Sequence, residues 1–83
     1  MIKTHLALLK PGQIATISEV HAEEGLHQRL LALGFRSGRQ VTMIRGAWFQ
    51  GPLHVRIGTT EMMLRRSEAH AISVTDVRTG EQV

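Results

Sequence analysis

The segment QVTMIRGAWFQGPLHVRIG, residues 40–58, decides the fold, because it holds two strand patterns and the turn between them. In its second half, Leu53, Val55 and Ile57 alternate with polar residues, which is the period of a half-buried β-strand. The first half, Gln40–Arg45, contains three β-branched residues, Val41, Thr42 and Ile44. Glycines and a proline bound the middle, as is typical of a turn. The segment therefore predicts a β-hairpin.

Three other segments also have strand patterns. They are Gln13–Val20, Glu61–Arg66 and Ala71–Val77, each short and rich in apolar or β-branched residues. Together with the hairpin they predict five short strands, and thus a mainly β protein.

One segment between the first two predicted strands has a different period. Leu26, Leu30 and Leu33 fall at i, i+4 and i+7, the spacing of an amphipathic helix of about three turns. Gly34 follows at the position where a left-handed residue ends a helix, and Phe35 would then pack back on Leu30. The sequence therefore predicts one helix inserted after the first strand.

A small barrel is the arrangement that these elements favour. An open five-stranded sheet would expose two edges, whereas closure into a barrel hides them. The strand pattern fits an SH3-like or an OB-like barrel equally well. With 83 residues the chain is one domain, which we place at residues 1–77, and residues 78–83 are predicted to be a frayed tail.

The amino-acid composition excludes several classes of function. The chain has no cysteine, which excludes disulfides, thiolate metal sites and thiol catalysis. It is 42% hydrophobic and 20% charged, with no run that approaches the ~20 apolar residues of a membrane span. No signal-peptide pattern occurs at the N-terminus, so we expect a cytoplasmic protein without direct membrane insertion.

No catalytic set is visible in the sequence. The chain has seven acidic residues and five histidines, but no phosphate-binding glycine loop and no paired carboxylates or triad pattern. We therefore predict a protein that is not an enzyme and that requires no cofactor.

A cluster of metal-ligand residue types precedes and begins the helix. His21, Glu23, Glu24 and His27 carry imidazole and carboxylate groups, which suit zinc or ferrous iron. They form the candidate metal site, either within one molecule or between two. The competing interpretation is a solvated helix face.

The turn inside residues 40–58 carries the strongest signal for a partner. Trp48 and Phe49 are two of only three aromatic residues in the chain, and exposed tryptophan is enriched at protein interfaces. We expect one ring to cover the core and Trp48 to be the more exposed one. Arg65 and Arg66 are the other partner-binding candidates, because they could contact an acidic surface.

Three stretches together resemble the FeoA family, the small cytosolic proteins of bacterial ferrous iron uptake. The resemblance covers about Leu6 to Val77 and is carried by LALLKPGQIATI (6–17), LHQRLLALGFRSGRQV (26–41) and IGTTEMMLRRSEAHAISV (57–74). One departure lies in the turn, where Trp48 replaces a usual proline and Gln50-Gly51 replace Gly-Asp. Any family role of that acidic residue is therefore not carried over.

The resemblance implies an SH3-like barrel and a non-enzymatic accessory role. Such a protein would dock on a FeoB-like membrane iron transporter that has a GTP-binding domain, with possible recruitment to the inner face of the membrane. Two alternatives remain: a metal-binding adaptor for zinc or ferrous iron, and a small nucleic-acid-binding barrel suggested by the net charge of +3. Nucleic acid is disfavoured, because basic and aromatic residues do not interleave along a strand. The sequence does not decide whether the protein forms a homodimer.

Overall fold

A computed structural model describes residues 3–46 and 51–80. Their strands form one antiparallel sheet in the order β1-β6-β2-β3-β4-β5. The strands are β1 (Thr4–His5), β2 (Gln13–Val20), β3 (Gln40–Arg45), β4 (Leu53–Ile57), β5 (Thr60–Leu64) and β6 (Ile72–Thr79). The helices are α1 (Glu24–Ala32) and α2 (Arg66–His70), and a 3-10 turn spans Leu6–Leu8.

The mainly β prediction is confirmed, and β2 and β3 have the bounds that the sequence predicted. Two details were wrong. A sixth strand, β1, pairs with β6, and its two residues are too few to give a periodic signal. Closure of the sheet was also predicted, but within residues 3–46 and 51–80 no pairing joins β5 to β1, so the sheet has two edges.

The helix α1 ends as its sequence predicts. Gly34 has φ of +104°, and its N–H donates to the Leu31 carbonyl at 3.0 Å. The N–H of Phe35 donates to the Leu30 carbonyl at 3.0 Å, which completes a Schellman motif. Phe35 and Leu30 are both fully buried, so this turn fixes the helix on the sheet.

One face of the sheet, together with α1 and the 3-10 turn, encloses a single hydrophobic core. Alternate residues of the strands point into it, which is why the pattern around Leu53 was so regular. The largest fully buried side chains are Phe35, Leu6, Ile17, Leu30, Met43, Leu53, Leu64, Ile72, Val41, Val55 and Val74.

The last strand extends past the predicted domain end at Val77. Arg78 and Thr79 pair with Ile14 and Gln13 of β2, and the Gly80 N–H donates to the Gly12 carbonyl at 2.7 Å. The part of the predicted tail that the structure describes, residues 78–80, therefore lies against the sheet.

Candidate functional site

The outward side of β3, β4 and β5 presents two rows of side chains that cross the three strands. The strand register places Arg45, His54 and Met63 side by side in the first row. It places Thr42, Arg56 and Glu61 in the second. We call these six residues the β3–β5 outer face.

This face combines one exposed apolar side chain with charged side chains. Met63 is 59% exposed, one of four large hydrophobic side chains in the described chain that are not covered. Beside it, His54 Nε2 lies 2.8 Å from Glu61 Oε1, so the glutamate is held toward the neighbouring strand. Arg45 and Arg56 are exposed and have no acidic partner among the described residues. The face can therefore offer a methionine contact bordered by positive charge.

Arg65, one of the predicted partner-binding residues, lies at one end of this face. Leu53 pairs with Leu64, so Pro52 and Arg65 follow directly beyond the same end of the β4–β5 ladder. Arg45, the last residue of β3, and Leu53, the first residue of β4, are at that end too. Trp48 and Phe49 themselves lie outside the described residues, so their predicted exposure stays a prediction.

The two adjacent arginines have different environments. Arg65 is exposed and caps α2, and its backbone N–H donates to Glu68 Oε1 at 3.0 Å. Arg66 begins α2 and is half-buried, and its buried Nε has no hydrogen-bond partner in the part of the chain described. Of the two arginines, Arg65 is therefore the more exposed.

A third arginine connects the two helices. Arg29 Nη2 of α1 lies 2.5 Å from Glu68 Oε2 of α2, and the glutamate side chain is only 8% exposed. Glu68 is thus a buried carboxylate that is satisfied on both oxygens, one by the cap of α2 and one by α1. This contact positions the short helix that follows Arg65.

The predicted metal residues are found where α1 begins, but they do not converge. Glu23 occupies the N-cap position of α1 without a capping side-chain hydrogen bond, and Glu24 is the first residue of the helix. His21 Nε2 is 3.6 Å from Glu19 Oε1. Across residues 3–46 and 51–80, no group of three or more histidine or acidic side chains is arranged to hold a metal ion. A site formed by His21, Glu23, Glu24 and His27 with a second molecule stays a prediction.

The sequence did not predict the β3–β5 outer face, although one pattern in β5 indicated an exposed apolar residue. Adjacent residues of a strand point to opposite faces, so Met62 and Met63 could not both be buried. The structure packs Met62 against the core and leaves Met63 exposed. The rows across β3, β4 and β5 depend on the strand register, which the sequence did not give.

Within the described residues, neither helix has the length and apolar character that crossing a membrane requires.

Comparison with known sequences identifies a family. Residues 4–76 match the family model described as FeoA domain. A Campylobacter jejuni protein described as "Putative Fe(2+) transport protein A" is 33% identical over 66 residues, which are 80% of this chain and 89% of that protein.

Two solved structures of similar sequence share the fold. FeoA of Stenotrophomonas maltophilia, solved in complex with zinc, has a TM-score of 0.77 and 33% identity, covering 87% of this chain and 89% of that chain. FeoA of Chlorobium tepidum has a TM-score of 0.82 and 30% identity, covering 95% of this chain and 74% of that chain. The first is described as an SH3 domain protein, so the predicted SH3-like fold class is confirmed.

Proposed function

Because the chain belongs to the FeoA domain family, we propose that it is a non-enzymatic accessory protein of bacterial ferrous iron uptake. It acts in the cytoplasm, where it docks on a FeoB-like transporter and supports or regulates it. Recruitment to the inner face of the membrane follows from that docking. A relative described as an Fe(2+) transport protein supports the assignment to iron uptake.

The observation that carries the docking proposal is the β3–β5 outer face. An exposed methionine on a strand can bury its whole side chain against a partner without any cost to the core. Arg45 and Arg56 lie on the same face of the sheet as that methionine, and the exposed Arg65 follows it by two residues. Arginine is enriched at protein interfaces. The face therefore suits an acidic surface that has an apolar pocket.

A direct binding measurement tests the proposal. The protein is titrated against the purified cytosolic GTP-binding domain of a FeoB-like transporter and against the detergent-solubilised membrane core. We expect binding to one of them with a Kd below about 10 μM, which corresponds to about −7 kcal/mol. Absence of binding to both at ~100 μM would contradict docking altogether.

Variants then locate the contact. Met63→Asp should weaken binding at least tenfold, because it replaces the exposed apolar side chain of the face with a carboxylate. Leu8→Asp is the matched control, since Leu8 is 62% exposed but lies on the 3-10 turn, outside the face. Equal effects of the two substitutions would exclude the β3–β5 outer face as the contact.

The turn beside the face needs its own variant. Trp48→Ala should also weaken binding if the aromatic pair anchors the partner, and its effect should not simply add to that of Met63→Asp when both contact one pocket. Unchanged affinity for Trp48→Ala would remove the turn from the proposed contact while leaving the outer face in place.

A second candidate function is a metal-binding adaptor, which the zinc complex of the Stenotrophomonas maltophilia relative supports. His21 and His27 would supply imidazole ligands, with Glu23 and Glu24 as carboxylate donors and a second molecule completing the site. Light scattering with and without zinc, followed by the same measurement on His21→Gln, tests this candidate. No zinc-dependent change in mass would count against it.

A further inference from the structure

Two histidines far apart in the sequence come together at the edge of the sheet. The rings of His5, on β1, and His70, the last residue of α2, have centroids 6.0 Å apart and are tilted by 59°. We infer that this pair forms a two-histidine site for a divalent transition metal ion of the Zn²⁺ class. It is separate from the ligands predicted at the start of α1 and independent of docking on a transporter.

The separation of the two rings is close to that of two imidazoles on one metal ion. With a Zn–N bond of about 2.1 Å, the centroid of a bound imidazole lies roughly 3.2 Å from the zinc. At the tetrahedral angle that zinc prefers, two such rings have centroids about 5.2 Å apart. The observed separation of 6.0 Å is longer, so the two side chains must turn toward each other before both can bind one ion.

The backbone on both sides of the pair is already fixed. His5 pairs with Ser73 of β6 and is followed by Leu6, which is fully buried. His70 follows Ala69, which is also fully buried. A site whose ligands stand on packed elements loses little conformational entropy on binding, which favours it over a chance pair on a mobile loop.

The ligand set decides which metals can bind. Imidazole suits zinc, copper and nickel, whereas magnesium and calcium prefer oxygen ligands. Both histidines are exposed, and no third histidine or acidic group completes a ligand set in the described chain. Water would fill the remaining positions, so we expect an exchangeable site of micromolar affinity rather than a structural zinc centre.

A metal ion bound to His5 and His70 would link β1, at the edge of the sheet, to α2. β1 has only two residues and pairs with β6 alone, so it is the least supported strand of the sheet. An ion that bridges His5 to α2 would hold β1 in place, and a ligand that binds only the folded state raises its stability.

Calorimetric titration of the full chain with ZnCl₂, together with thermal unfolding at matched zinc concentrations, tests the inference. We expect one zinc ion per chain and a Tm that rises with zinc but not with MgCl₂. His5→Gln and His70→Gln should each weaken zinc binding at least tenfold and abolish the rise in Tm. Both positions are exposed, so each variant should fold normally, which circular dichroism checks.

A control variant shows whether loss of any histidine has the same effect. His54→Gln removes an imidazole that contacts Glu61 and lies outside both candidate metal sites. This variant should keep the zinc affinity of the unsubstituted chain. Zinc binding that is unchanged in His5→Gln and His70→Gln, or absent at millimolar zinc, would overturn the inference, whatever the result of the transporter titration.

Discussion

Glu68 is a carboxylate removed from water, and its two oxygens have different partners. One accepts the N–H that begins α2, and the other meets the guanidinium of Arg29. Glu68→Ala would leave both partners without an acceptor and open a small gap under α2. We expect a loss of about 2 kcal/mol in the free energy of unfolding, measured by urea denaturation, since Arg29 is 54% exposed and can turn to water.

An exposed ion pair in the same chain provides the control. Arg78 Nη1 lies 3.4 Å from Asp76 Oδ2, and both side chains are substantially exposed. Arg78→Met should therefore change the free energy of unfolding by no more than about 0.5 kcal/mol. If Glu68→Ala cost as little as Arg78→Met, the buried carboxylate would not position α2. Glu68→Gln, which keeps an acceptor for the cap, should lie between the two.

At the scale of an element, β6 contains an extra residue. Thr75 pairs with Thr16 and Arg78 pairs with Ile14, so the stretch between them is one residue longer on β6 than on β2. Asp76 lies in this bulge with φ of 59°, a left-handed conformation that is least strained for glycine and is uncommon for other residues.

Two substitutions of Asp76 should change the free energy of unfolding in opposite directions. Asp76→Gly should stabilise the protein by up to about 0.5 kcal/mol, because it relieves the left-handed strain. Asp76→Val should destabilise it by at least about 1 kcal/mol, because a β-branched residue is most strained there. Urea denaturation of both variants measures the difference, and the same sign for both would argue against the left-handed assignment.

The sequence predicted the elements whose signal is local and missed those that depend on distant pairing. The leucine period and Gly34 predicted α1 and its end, and alternation predicted β4, because each pattern is complete within a few residues. β1 pairs with β6 near the other end of the chain, so nothing local marks it. The proximity of His5 to His70 has the same origin, and composition alone could not indicate it.

At the scale of the whole molecule, charge is spread unevenly across the candidate docking face. The net charge is only +3, yet Arg45, Arg56 and Arg65 stand on or beside one face with Glu61 as its single carboxylate. Clustered charge of one sign speeds encounter with an oppositely charged surface, and salt screens that effect. Docking on a transporter should therefore be slower at high salt.

Stopped-flow or surface-plasmon measurements of the association rate test this at two salt concentrations. We expect the rate to fall at least about fivefold between about 50 mM and 500 mM NaCl, with a smaller change in the dissociation rate. Arg45→Glu should lower the rate at low salt and flatten its salt dependence. Arg36→Glu makes the same change in net charge at an exposed position before β3, at the opposite end of the sheet from Arg45. If both substitutions slowed association equally, net charge rather than the β3–β5 outer face would direct the encounter.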